Sequence, residues 1–177
     1  MSHPRLKSYQ TIKINWLCYG DNEILYYESE TLKKRFTKQS NDKSCNSEIK
    51  SIVKINDNNK KISWGNVGSH RPVINVKKSC DSLGNLVHYG AWKIDPPQYK
   101  YAYLNHYITK SSEEYAEKCL RGDATYIIHN KTEYYEKRMD RYFSINNYSV
   151  KKISLLEKKL NTTLKKFIKK FYFQLKI

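Results

Sequence analysis

Between Tyr103 and Gly122 the chain reads YLNHYITKSSEEYAEKCLRG, and its residue types there could hold an anion. Ser111 and Glu114 form an S-x-x-E capping box, in which the serine hydroxyl and the glutamate carboxylate satisfy each other's backbone N–H groups at a helix start. Gly122 supplies the left-handed residue that stops a helix. The spacing therefore predicts a strand ending in Asn105-His106-Tyr107 and a helix over 112–121. This handover gathers His106, Thr109, Lys110 and Ser111 around the N–H groups of a helix N-terminus, chemistry suited to a phosphate.

Of five histidines, His106 is the best placed to ligate or to move a proton, because α/β folds commonly bind ligands at strand ends. His70 ranks second, in the loop Gly68-Ser69-His70-Arg71-Pro72, since loops carry sites. Other signatures are missing. The chain has no G-x-G-x-x-G, no P-loop and no H-E-x-x-H. The nearest approach to a paired acidic motif is Asp21-Asn22-Glu23, whose composition predicts a hairpin turn instead.

Several elements must position these residues. Residues 11–19, TIKINWLCY, alternate as a strand with Ile12, Ile14 and Trp16 on one face. Gly20-Asp21-Asn22 predicts a turn and Ile24–Tyr27 a returning strand. Residues 37–49 are polar and predict a loop, before a short apolar piece, Lys50-Ser51-Ile52-Val53. Val73–Val76 and Leu86–Trp92 predict a hairpin joined through Asp81–Asn85. Tyr99–Leu104 alternate as the strand leading into His106, and a second helix is predicted near Thr132–Phe143.

The longest regular pattern is the last. Ile153, Leu156, Leu160, Leu164, Phe167, Phe171 and Leu175 recur at three- and four-residue steps, opposite lysines repeating every seven. A helix over 151–176 would be roughly 39 Å long. Residues 144–177 hold nine lysines and one glutamate, half of the formal charge of +16.

With 177 residues, 39% apolar and 14% aromatic, the chain is large and aromatic enough to bury a core, which excludes intrinsic disorder. The excess of 33 basic over 17 acidic residues implies attraction to an anionic partner. The Lys-rich tail, residues 149–177, fits peripheral contact with an acidic membrane surface. Nucleic acid is disfavoured, because no basic recognition motif accompanies the charge. Cys18, Cys45, Cys80 and Cys119 form no C-x-x-C pair. Without an apolar leader or an eighteen-residue apolar window, they predict reduced thiols in a cytoplasmic protein.

The run Asn105-His106-Tyr107-x-Thr109-Lys110-Ser111-x-Glu113-Glu114-Tyr115, followed by Lys118 and Arg121-Gly122, resembles a signature near the C-terminal end of certain glycosyltransferases. These are the family 92 and related family 2-like enzymes, with a GT-A nucleotide-sugar-binding fold. Ile14-Asn15-Trp16 with Tyr19-Gly20, then Arg35-Phe36, Lys50-Ser51-Ile52-Val53, Ser69-His70 and Gly84-Asn85 resemble further pieces in the same order. The resemblance covers roughly residues 8–125.

The resemblance implies an α/β (α+β) fold, a partial GT-A-like mixed sheet with hairpins and a capped helix over residues 1–130; the periodicity, and not the resemblance, adds a long C-terminal amphipathic basic helix in a helical, Lys-rich extension, 131–177. The resemblance implies transfer of a sugar from a nucleotide-sugar donor to a glycan or other hydroxyl acceptor. It also implies a divalent metal, Mn²⁺ or Mg²⁺, held by His106, with Lys110, Ser111 and Arg121 on the donor diphosphate. Asn105, Tyr107, His70 and Trp16 would complete the site. The family's nucleotide-binding half and its D-x-D motif lie before the "NW" strand, which here begins near residue 11. The expectation is thus a C-terminal half-site, either truncated and inactive alone or completed by a separate N-terminal half. The contrasting expectation is a non-catalytic basic module that binds an anionic membrane surface or nucleic acid.

Overall fold

The computed structural model describes residues 6–55, 79–88, 90–122 and 131–146. His70, the predicted strand Val73–Val76 and the predicted terminal helix lie outside the described residues. The chain combines a mixed five-stranded sheet with a few helices, an α/β architecture. It divides into two compact units: Met1–Leu17 with Lys43–His106, and Cys18–Asp42 with Tyr107–Ile177.

The first unit is built on β1 (Thr11–Cys18). β1 pairs antiparallel with β2 (Ile49–Val53), in a register that sets Thr11 opposite Val53 and Ile14 opposite Lys50. It also pairs parallel with β3 (Ser79–Cys80), which returns antiparallel to β4 (Leu86–Val87). β5 (Leu104–His106) pairs with β1 as well. The β3–β4 turn is the predicted one. Asp81 Oδ1 accepts the N–H groups of Leu83 (2.8 Å) and Asn85 (2.9 Å), and Gly84 takes a φ of 87°.

β1 is buried along nearly its whole length, although TIKINWLC alternates apolar and polar residues. Lys13 and Asn15 are therefore polar side chains inside the core, which must find partners. The Lys13 ammonium donates to the Ala91 carbonyl at 2.5 Å. Asn15 Nδ2 faces the carbonyls of Ser47 (3.1 Å) and Ile94 (3.0 Å), while its Oδ1 accepts the Gln98 N–H at 3.0 Å. One amide thus ties β1 to the end of α2 (Lys43–Ser47) and to both sides of the cis Asp95–Pro96 bond.

The second unit packs α3 (Ser112–Arg121) against α4 (Lys131–Asn146). Tyr115, Ala116 and Cys119 form one face of α3 and meet Met139 and Tyr142, with Leu25, Tyr135 and Phe143 at the margin. A short α1 (Leu32–Arg35) precedes Phe36, which is 1% exposed.

Several sequence expectations change. The partner of β1 is β2, and Ile24–Tyr27 form no strand. Asn22 and Glu23 adopt left-handed φ of 52° and 66°, and the Ile24 and Leu25 carbonyls accept the Ser112 and Glu113 N–H groups instead of a strand ladder. The strand before His106 begins at Leu104, not Tyr99. Upstream, the Tyr99 hydroxyl donates to the Trp16 carbonyl at 3.1 Å, so a side chain does what the ladder was expected to do. α1 and α2, four and five residues long, are too short for a periodic signal to mark them.

The cysteines change too. Cys18 and Cys45 are disulfide-bonded, while Cys80 and Cys119 are buried free thiols. The expectation of four reduced thiols does not hold. A disulfide is rare in a reducing compartment, so the cysteines no longer argue for the cytoplasm. No helix among the described residues is long and apolar enough to cross a membrane.

Replacing Asn15 by Ala leaves the Gln98 N–H and the carbonyls of Ser47 and Ile94 without their partner. The expected loss is about 2 kcal/mol, read from urea unfolding. Unchanged stability would show that the loop is held by something other than this amide.

Candidate functional site

The residues expected to form one site are divided between the units. Trp16, Asn105 and His106 belong to the first; Tyr107, Lys110, Ser111 and Arg121 belong to the second.

In the first unit, the His106 ring stacks on the Trp16 indole, with centroids 3.9 Å apart and planes 21° apart. The pairing of β5 with β1 brings together two positions ninety residues apart in the chain. Lys50 joins them. Its place opposite Ile14 puts it diagonal to Trp16, and its ammonium lies 5.9 Å from the indole centroid. Burial pulls the Lys50 pKa below its usual 10.5, partly opposed by the nearby Glu48 carboxylate. Lys50 was legible only as part of the K-S-I-V resemblance. Its proximity to Trp16 depends on the β1–β2 register, which a sequence does not display. Asn105 is exposed on β5 between its neighbours.

In the second unit the capping box forms as predicted. Ser111 is the N-cap, its hydroxyl accepts the Glu114 N–H at 3.3 Å, and the Glu114 carboxylate accepts the Ser111 N–H at 3.3 Å. Gly122 ends α3 at φ 86°. The N–H groups gathered there are engaged within the chain. Ser112 and Glu113 donate to the carbonyls of Ile24 (3.1 Å) and Leu25 (2.9 Å), and Ser111 and Glu114 serve each other.

The charges are engaged as well. Arg35, whose side chain is 2% exposed, donates to Glu114 at 2.5 Å and lies 4.7 Å from the Phe36 ring centroid. Lys110, at φ 51°, faces the same carboxylate at 3.5 Å. Desolvation pushes the Glu114 pKa up, but hydrogen bonds from Arg35 and Ser111 outweigh it and hold the carboxyl below its ordinary 4.5. Arg121 stands exposed in the last turn of α3, where a cation complements the helix dipole. Tyr107 stacks on Tyr19 at 5.0 Å, and burial raises its pKa.

Acid–base and metal chemistry is narrowly supplied. Asp21 is 2% exposed, and its carboxylate accepts the Tyr142 hydroxyl and the Glu23 N–H (2.9 Å). Burial lifts the thiols of Cys80 and Cys119 to about 11, which suits packing and not nucleophilic attack. Among the described residues no group of three or more His, Cys, Asp or Glu is placed to hold a metal ion. His106 alone does not fit a divalent cation, which takes several oxygen ligands.

No protein-family model matches this chain, and no curated protein or solved structure matches it significantly.

Because the folded-state pKa of Glu114 is depressed, its stabilisation is complete above the unfolded value near 4.5 and is lost as pH falls through the folded value. Glu114→Gln should cost on the order of 3 kcal/mol at neutral pH. The gap to the unsubstituted protein should narrow as the pH is lowered. A gap that stays constant on acidification would show that the carboxylate charge contributes nothing.

Proposed function

We propose that the chain is a glycosyltransferase-like protein whose first unit supplies one wall of a nucleotide-sugar site, formed by Trp16, His106 and Lys50. What carries this reading is the stack of His106 on Trp16 at 3.9 Å. Trp16 and His106, which come from two separate pieces of the resemblance, are ninety residues apart in sequence and stacked in space. The mixed sheet is compatible with a portion of a GT-A-like fold.

On this reading the first unit binds and orients. A rigid indole fixes the plane of the imidazole, so that the ring nitrogens keep set directions. Lys50 contributes a cation toward a diphosphate, the group whose charge grows as the sugar leaves. Asn15 holds the strand beneath them through the loop at Ile94 and Gln98. The Mn²⁺ or Mg²⁺ implied by the resemblance would need carboxylate ligands from outside the described residues, as would the base that activates an acceptor. Sugar transfer is therefore proposed for a completed site, and donor binding is the part asked of this chain.

A panel of UDP- and GDP-sugars, titrated with and without Mn²⁺ while thermal stability is followed, tests the reading. A ligand at a hundred times its Kd stabilises by about 2.7 kcal/mol, which shifts Tm by several degrees in a chain of this size. The expected result is a shift with at least one donor. His106→Ala should weaken its metal dependence, and Lys50→Met should weaken binding of the nucleoside diphosphate alone. No shift at millimolar donor would sink the proposal.

A further inference from the structure

Two tyrosines of the first unit stand exposed just ahead of β5. Tyr101 is 55% exposed and Tyr103 47%, and Asn105 on β5 is exposed as well. Ala102, Leu104 and His106, which alternate with them, are partly buried. Exposure repeats every second residue, the period of an extended chain, and two residues of any chain span at most about 7 Å. The two tyrosines are therefore close neighbours.

Tyr103 is braced from behind. Its ring meets Tyr99 edge to face, with centroids 5.9 Å apart and planes at 77°, and the Tyr99 hydroxyl is fixed on the Trp16 carbonyl at 3.1 Å. Tyr101 has a cation beside it, since the Lys100 ammonium lies 5.4 Å from its ring centroid. The loop that β1 places repeats this pairing: Trp92, 51% exposed, has the Lys93 ammonium 4.6 Å from its ring centroid. Lys93 also donates to the Ser44 hydroxyl at 2.8 Å. Residues 99–108 contain no Asp or Glu, and the closest acidic residue along the chain is Asp95, beyond Pro96 and Pro97.

We infer that these residues bind single-stranded nucleic acid: bases stack on Tyr101 and Tyr103, and Lys100 meets a phosphate of the same strand. Exposed aromatic rings set beside cations suit a ligand in which flat π faces alternate with negative charges. A neutral sugar chain covers the rings but gives the ammonium no counter-charge. A duplex keeps its base faces against one another, so it meets the lysine and not the rings. No base-reading motif is required, because every base has a π face. Stacking needs exposed ring surface, which both tyrosines have, and not the absence of other contacts. The brace from Tyr99 limits the side-chain freedom that Tyr103 loses on binding. The inference goes beyond the glycosyltransferase reading and uses none of the side chains in the proposed donor wall, so each can fail without the other.

Fluorescence anisotropy of the full chain with a labelled oligo(U) of about twelve nucleotides tests it, beside an abasic strand of equal length and charge and a duplex of equal length. Charge alone attracts all three, through the lysines of residues 149–177 among others, so the readout is the difference between them. Oligo(U) should bind at least tenfold more tightly than the abasic strand, since stacking contributes roughly five- to a hundredfold per base. Tyr101→Leu with Tyr103→Leu keeps apolar bulk beside Tyr99 but removes both π faces. That pair should weaken oligo(U) tenfold or more and leave the abasic strand and the duplex within twofold. Tyr101→Phe with Tyr103→Phe should bind oligo(U) within twofold of the unsubstituted chain. Lys100→Met should flatten the slope of log affinity against log salt by about 0.7, the value for one phosphate on a single strand. Should the leucine pair fail to fold, the abasic comparison decides alone. The inference is overturned if the abasic strand binds as tightly as oligo(U), or if the leucine pair binds oligo(U) unchanged. Equal weakening of the duplex by the leucine pair would overturn it, as would a neutral oligosaccharide that binds and is lost in that pair.

Discussion

A strand buried on both faces must find a partner for every polar side chain it carries, and β1 carries Lys13 and Asn15 into the first unit. The neighbours that satisfy them are the carbonyls of Ala91, Ile94 and of Ser47 at the end of α2, and the Gln98 N–H. The loop through residues 91–98 is therefore placed by β1 and not by its own ladder. That matters because β3 and β4 are two residues long and hold little by themselves. The same loop leads to Tyr99, whose hydroxyl grips the Trp16 carbonyl. The orientation of Trp16, and with it the stack on His106, rests in the end on where two buried polar side chains find their bonds.

The second unit meets a similar demand at a helix end. A helix start presents unsatisfied N–H groups, and these can be closed by an outside anion or by the chain itself. Here the chain closes them with the Glu114 carboxylate and the Ile24 and Leu25 carbonyls. A tethered carboxylate competes at high effective concentration with any free phosphate. Displacing it would also strand the buried Arg35 guanidinium, which costs several kcal/mol. The S-x-x-E pattern that marks the helix start is thus also the device that occupies it.

The capped helix was legible to the residue because its signals are local: Ser111, Glu114 and Gly122 each act on backbone within one turn. β1, the Asp81–Asn85 turn and the existence of α4 were legible for the same reason. What was not legible depends on pairing at a distance. Ile24–Tyr27 have strand-like residues, yet their carbonyls serve α3. Tyr99–Tyr103 alternate like a strand, yet Tyr99 acts through its hydroxyl. The Lys50–Trp16–His106 group exists only once β1 has chosen both β2 and β5. His106 is close to Lys110 and Ser111 in sequence, whereas the chain changes compact units between His106 and Tyr107.

Net charge by itself does not say where a ligand would go, and the reason is physical. Three basic side chains in the described residues face a carboxylate one turn away, in Lys34–Glu30, Lys110–Glu114 and Lys137–Glu133. Exposed pairs of this kind stabilise little, but they cancel the local field that would attract an anion. A surplus of lysine then yields attraction without discrimination, since every anion answers to it. Discrimination requires that a cation be set beside a surface which only part of a ligand can cover.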